Sequence, residues 1–309
     1  MHSLSEIANF NTLADLDPLT EIHHELQYLQ YAEEADQILR KNNPENGCLP
    51  GTRTEILDVI IKWATGSHLP VNPPSYLHQL DQDKRVAWLC GVAGSGKSSI
   101  AMSVALAAHA SGVLGAYYRF STVNQAHLNP STLFSTIACQ LASQNGKTEE
   151  QLVSIVKKCD RLTQQSTNPL QQLNTFLLPL LLNSASSNPV IQPHTVIIID
   201  AVDESGSISM RQGILQCLAE LSSKLPYSVR VLVTSRYELD VQDAVHPDLH
   251  TAILLMDQIP HCSTEEDIQL YIHHMLADIT ISSDSAKSQE QLTQLALRSE
   301  ESFQWASTA

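Results

Sequence analysis

The sequence predicts an α/β fold of three layers: a mainly parallel five-stranded sheet covered by helices on both faces. Three observations carry this. Short apolar, β-rich runs at 86–90, 115–120, 196–199, 229–233 and 252–255 alternate with helical patterns at 98–109, 130–143, 149–159, 169–182 and 210–223, the alternation that builds βαβ units. Most of the runs are apolar along nearly their whole length rather than at every second residue, as strands buried on both faces must be. The first run also leads directly into a glycine-rich turn and then a helix.

Helical segments flank this core. Residues 19–41 lack Pro and Gly and place Ile22, Leu26, Leu29, Ala32 and Ala35 at three- and four-residue spacing, one amphipathic helix. The turn-forming Asn42-Asn43-Pro44-Glu45-Asn46-Gly47 ends it. A second helix is expected over 53–64. After 255 the strand signals stop; Ser263-Thr264-Glu265-Glu266 reads as the capped start of a helix to about 279, and another covers 289–299. The expected division is an N-terminal helical segment and linker over 1–47, a nucleotide-binding domain over 48–258, and the start of a helical subdomain over 259–309. The end at Trp305-Ala306-Ser307-Thr308-Ala309 reads as cut off.

The 18 basic and 33 acidic residues give a net charge of −15. Such a field repels phosphate backbones and anionic lipid, and no dense Lys/Arg cluster offsets it, so neither nucleic acid nor membrane is expected as a partner. The six cysteines are dispersed without a C-x-x-C pair, and the N-terminus has no signal-peptide pattern; a cytoplasmic protein is expected. The thirteen histidines include the adjacent pairs His23-His24 and His273-His274, which a helix would point about 100° apart rather than toward one metal.

The chemistry concentrates at three points. Gly91-Val92-Ala93-Gly94-Ser95-Gly96-Lys97-Ser98 matches G-x-x-x-x-G-K-[ST] in full and stands between a strand and a helix. Its glycines let backbone N–H groups turn inward around phosphate oxygens, and the helix adds its positive end. Lys97 is expected to reach the β- and γ-phosphates, and the Ser98 hydroxyl to ligate Mg²⁺. Second, Val196-Ile197-Ile198-Ile199 ends in Asp200 at the carboxyl edge of the sheet, where a buried carboxylate needs a cation and Mg²⁺ supplies one. Asp203 and Glu204 follow, either to orient or deprotonate a water or as a solvated acidic loop. Third, Val229–Val233 leads to Thr234-Ser235-Arg236 at the same edge. Arg236 either detects the γ-phosphate or pairs on the surface with Glu238 or Asp240.

These residues together resemble the NACHT family, the switch domain of signal-transduction ATPases and NOD-like receptors, and the likeness is closest to fungal members. Gly91 to Ser99, with Ile100 and Ala101, is similar to its phosphate loop. Asp200-Ala201-Val202-Asp203-Glu204 is similar to its Walker B, and Val233-Thr234-Ser235-Arg236 to its sensor strand. Cys48-Leu49-Pro50-Gly51-Thr52-Arg53 resembles the stretch that folds over the base, which implies base-side contacts from Thr52 and Arg53. Leu133 to Ala142 is also similar to a family helix. Tyr237 stands where proline is usual, and 299–308 resembles a family segment without its glycine. The chain ends before the winged-helix and repeat modules of that family.

The resemblance implies a signalling switch that binds ATP or ADP with Mg²⁺ and hydrolyses slowly or not at all, and that self-associates or meets other signalling proteins. GTP stays open, although the Asn-Lys-x-Asp guanine signature is absent. Hydrolysis would use Lys97, Mg²⁺ on Ser98 and Asp200, and Glu204 as the water-orienting base. Two rivals stand beside this: a turnover P-loop ATPase or kinase, and a pseudo-ATPase interaction scaffold.

Overall fold

The computed structural model describes residues 29, 47–120, 130–183, 195–245, 250–276, 294–296, 298, 299 and 302–306. The rest of the helix expected over 19–41, the loop 184–194 and part of the helix expected over 289–299 lie outside the described residues.

Five parallel strands form one sheet in the order β2-β3-β4-β1-β5. They are β1 (Val86–Cys90), β2 (Leu114–Arg119), β3 (Thr195–Asp200), β4 (Val229–Ser235) and β5 (Thr251–Leu255). All five lie within a residue or two of their expected runs, because continuous apolar runs have only one way to bury both faces. One face is covered by α1 (Thr54–Thr65) and α2 (Lys97–Ala110). The other carries α3 (Leu133–Ala142), α4 (Gly146–Lys158), α5 (169–183) and α6 (Ile208–Lys224). This is the expected three-layer α/β architecture of a P-loop fold.

Helix boundaries follow local chemistry. The Asn145 carboxamide accepts from the Lys147 N–H at 3.0 Å and starts α4, while Lys157 and Lys158 oppose its negative end. Within α5 the turn Leu173–Leu177 widens to π geometry. Pro179, which has no N–H and crowds the preceding turn, stands two residues beyond it. A short helix not expected from the sequence, α7 (Leu239–Ala244), lies between β4 and β5.

The helix after β5 corrects an expectation. It opens earlier, as α8 (His261–Met275), with Pro260 at its N-cap. Thr264 is therefore inside the first turn, and its hydroxyl accepts from Arg53 Nη1 at 3.1 Å instead of capping. A last helical turn, α9 (Phe303–Ala306), packs against α8.

Strand β2 is an edge with unpaired backbone groups, and α3 and the turn after it cover it with amide side chains. Gln140 accepts from the Tyr117 N–H (2.9 Å) and donates to the Tyr117 carbonyl (3.1 Å), and Gln144 donates to the Gly115 carbonyl (2.8 Å). The edge is thereby closed to pairing with another chain. Gln140→Ala is expected to leave two buried backbone groups unmatched and to cost about 2–3 kcal/mol. Urea unfolding should show a lower midpoint at unchanged slope.

Candidate functional site

The strand order places the phosphate loop on β1 and Asp200 on β3, with β4 between them. All three carboxyl ends therefore meet at one edge, the crevice where such sheets hold ligands. Gly94 (φ 77°) and Gly96 (φ 95°) take left-handed conformations that suit glycine, and Gly96 caps the start of α2. A Cβ at Gly91 would stand 2.6 Å from the Met256 Cβ, so the loop is seated against the segment that follows β5. The Ser95 hydroxyl donates to the Val92 carbonyl at 2.9 Å. Val92 and Ala93 face outward.

Lys97 folds over this loop. Its ammonium donates to the carbonyls of Gly91 (2.8 Å) and Val92 (2.7 Å). Burial lowers its pKa from the usual range, while the charges of Asp203 and Asp200 act the other way. No carboxylate pairs with it directly among the described residues. A desolvated cation resting on main-chain carbonyls, beside a glycine cradle, is suited to an incoming anion.

Asp200 is fully buried. One oxygen accepts from the Ser98 hydroxyl at 3.0 Å and from the Thr234 hydroxyl. The other accepts from the Tyr117 hydroxyl at 3.4 Å and pairs with Arg119 Nε at 3.5 Å. Beyond it, Ala201 is held at φ 61°, a conformation that costs a residue with a Cβ about 1–2 kcal/mol, and its N–H donates to Thr234 Oγ1 at 2.9 Å. This kink turns the chain into the Val202–Glu204 turn. There Asp203 meets Arg236, which donates its backbone N–H (3.0 Å) and pairs through Nε (3.0 Å). Glu238 and Asp240, the other partners considered for Arg236, pair with Arg211 instead. Arg211 also donates to the Asp203 carbonyl at 3.0 Å. Glu204 is half-buried at the end of the turn.

On the opposite side of the loop lies a cleft of about 330 Å³, lined by Cys48, Thr52, Arg53, Lys97, Tyr271 and Phe303 among others, including Ser98 and Ser99. Thr52 is buried and donates its hydroxyl to the Leu49 carbonyl at 2.7 Å. Arg53, in a left-handed conformation (φ 53°), ties the cleft together. Its N–H donates to Asp267 (3.0 Å), Nη2 to the Ser95 carbonyl (3.3 Å), and its guanidinium stands 5.0 Å from the Phe303 ring centre. Phe303 meets Tyr271 edge-on, and its own N–H donates to the Gly94 carbonyl at 3.0 Å. The segment after α8 thus lies directly on the phosphate loop.

The structure brings Lys97, Ser98, Asp200, Asp203 and Arg236 to one edge and puts Thr52 and Arg53 on the cleft beside it. Sequence reasoning missed Tyr117, Arg119, Arg211, Tyr271 and Phe303 as members of the site. A signal existed for the first pair: residues 117 and 119 alternate onto one face of β2, and pairing Arg119 with Asp200 in register aims both at the carboxylate.

The fold and loop define a P-loop protein. Residues 69–236, more than half of the chain, match the family described as Nephrocystin 3, N-terminal, and the chain belongs to that family. No curated protein matches the sequence. Among solved structures it is similar to the Aeropyrum pernix ORC1 protein in complex with DNA, at 15% identity and a TM-score of 0.35, covering 82% of this chain and 61% of that one. It is also similar to Drosophila ORC bound to DNA, at 11% identity and a TM-score of 0.38, covering 96% of this chain and 47% of that one. Both are DNA-bound, and the sequence-based exclusion of nucleic acid from the partners is corrected accordingly. The charge of −15 is a sum over the whole chain and excludes no local surface. Likeness at this level assigns no ligand to this chain. Among the described residues no helix is long and apolar enough to cross a membrane.

Ala201→Gly is expected to relieve the kink and raise stability by about 0.5–1 kcal/mol, seen as a higher unfolding midpoint. Arg53→Ala should cost about 2–4 kcal/mol, because the Ser95 carbonyl and the Thr264 hydroxyl lose the guanidinium and Asp267 loses the Nε charge 3.7 Å away, keeping only its bond from the residue 53 N–H.

Proposed function

We infer that the chain is a nucleotide-binding switch domain of the NACHT type, holding a nucleoside triphosphate or diphosphate with Mg²⁺ and hydrolysing it slowly or not at all. One observation carries this reading: the phosphate loop is bonded through Gly94 and Ser95 to the segments on both sides of the sheet domain, Phe303 after it and Arg53 before it. Filling such a loop must disturb its neighbours, which is what a switch requires.

The residues fit the ligand. The glycine cradle and Lys97 suit phosphate oxygens, and the Ser98 hydroxyl and the Asp200 carboxylate, already bonded at 3.0 Å, form an oxygen donor set of the hard kind that Mg²⁺ takes. Tyr271 and Phe303, beside the Arg53 guanidinium, offer aromatic surface to a base, and ATP is the favoured nucleotide. When bound, Mg²⁺ would neutralise phosphate charge. Lys97 would leave the loop carbonyls for the phosphates. Ser99 and the loop amides would orient them.

The acidic residues narrow which group could act on water. The Asp203 carboxylate is bound to Arg236 through both of its oxygens, which leaves Glu204 as the group to orient water. The same pairing places Arg236 at the edge where a γ-phosphate would compete for it. The expected domain division, with 48–258 as the nucleotide domain and 259–309 as the start of a helical subdomain, fits α8 and α9 acting as the moving part. Self-association and a cytoplasmic setting belong to the same reading.

Calorimetry with Mg·ATP and Mg·ADP tests it. Binding near or below micromolar Kd is expected, and Lys97→Ala should weaken it by about 10- to 100-fold, the scale of one or two charge-assisted hydrogen bonds. A folded wild-type chain that binds neither nucleotide would contradict the reading. Rapid multiple turnover would favour an ATPase or kinase instead.

A further inference from the structure

Arg119 has no place in the phosphate chemistry described above, yet it supplies the only charge paired directly with the buried Asp200 carboxylate among the described residues. Both oxygens of Asp200 are fully engaged: Ser98 and Thr234 on one, Tyr117 and Arg119 on the other. Three of these partners are neutral hydroxyls. Thr234 and Tyr117 are buried on their strands, and Ser98 is fixed at the start of α2. The guanidinium of Arg119 differs: its side chain is 45% exposed and stands at the end of the edge strand β2.

We propose that Arg119 is the counter-cation of Asp200 in the nucleotide-free protein and gives up that place to the divalent cation that arrives with nucleotide. The proposal rests on the reading of Ser98 and Asp200 as the metal-side pair. A buried carboxylate needs a positive charge nearby at all times. Before nucleotide binds, Arg119 provides it. When a divalent ion takes the carboxylate, directly or through water, a second cation at 3.5 Å is repelled. Its exposed side chain can swing into solvent without moving the sheet, whereas Tyr117 cannot. Arg119 is also absent from the lining of the nucleotide cleft. Its removal therefore acts on the metal and not on the nucleotide itself. The exchange sets how much Mg²⁺ is needed to close the site.

Arg119→Gln and Arg119→Lys test this on the full chain with two readouts. The first is half-saturating Mg²⁺, titrated into protein loaded with a fluorescent ADP derivative after chelation. Arg119→Gln should lower it by up to about fivefold, the scale of a partly exposed ion pair, with metal-free ADP affinity unchanged. Arg119→Lys, whose ammonium reaches less far and cannot present a guanidinium, should lower it by less. The second readout is Tm. Arg119→Gln should lower the Tm of the nucleotide-free protein by about 2 °C, and the gap should close with Mg·ADP present. An unchanged or raised Mg²⁺ requirement in both variants would overturn the proposal, as would an equal Tm gap in both states. A wild-type chain whose Tm and fluorescence ignore ADP altogether would overturn the nucleotide reading and this proposal with it. Weakened metal-free ADP binding in Arg119→Gln would instead make Arg119 a phosphate contact.

Discussion

A single buried carboxylate organises the working edge of this sheet. Asp200 ends β3, where four aliphatic residues have removed all solvent from the strand, and water cannot stabilise its charge. Three elements at that edge send it partners: α2 sends Ser98, β4 sends Thr234, and β2 sends Tyr117 and Arg119. These contacts fix the distance between the phosphate loop and the acidic turn across β4. They also account for the strained Ala201. Its N–H is held by the same Thr234 hydroxyl that donates to Asp200, so the backbone kink and the carboxylate are set together.

The second constraint is the joint between the loop and its surroundings. Arg53 is buried, takes a conformation unfavourable to its own side chain, and bonds simultaneously to the loop, to α8 and to the ring of Phe303. A residue in that position pays its strain only if three elements hold it there. It makes the N-terminal lead-in, the phosphate loop and the helices after β5 one mechanical unit. Asp267 shows the tension in this joint. Burial raises its pKa despite the opposing pull of Arg53, so the pair is held in a place that disfavours the carboxylate charge.

How much of this was legible in the sequence depended on the range of the interaction. The strands were, because an unbroken apolar run bounded by turns admits one burial solution. The phosphate loop was, because glycine and lysine spacing encodes a local backbone shape. Asp200 was legible as a carboxylate closing an apolar strand. By contrast, Arg119 and Tyr117 reach it only because β2 pairs with β3 across 75 or more residues of chain, and no local pattern states that pairing. The start of α8 was misplaced for a related reason. Ser263 and Thr264 have the chemistry of caps, but Pro260 precedes them with a fixed φ and begins the helix earlier, which frees Thr264 for Arg53. The partner of Arg236 was likewise invisible, since Arg211 from α6 takes Glu238 and Asp240.

The central claim is that nucleotide at the phosphate loop is felt by the segment after α8. Hydrogen exchange of backbone amides, compared with and without Mg·ADP, tests it directly at residues 91–98 and 302–306. The account expects both segments to change protection together, because the Phe303 N–H is bonded to Gly94. Protection confined to the loop, with 302–306 unaltered, would contradict it.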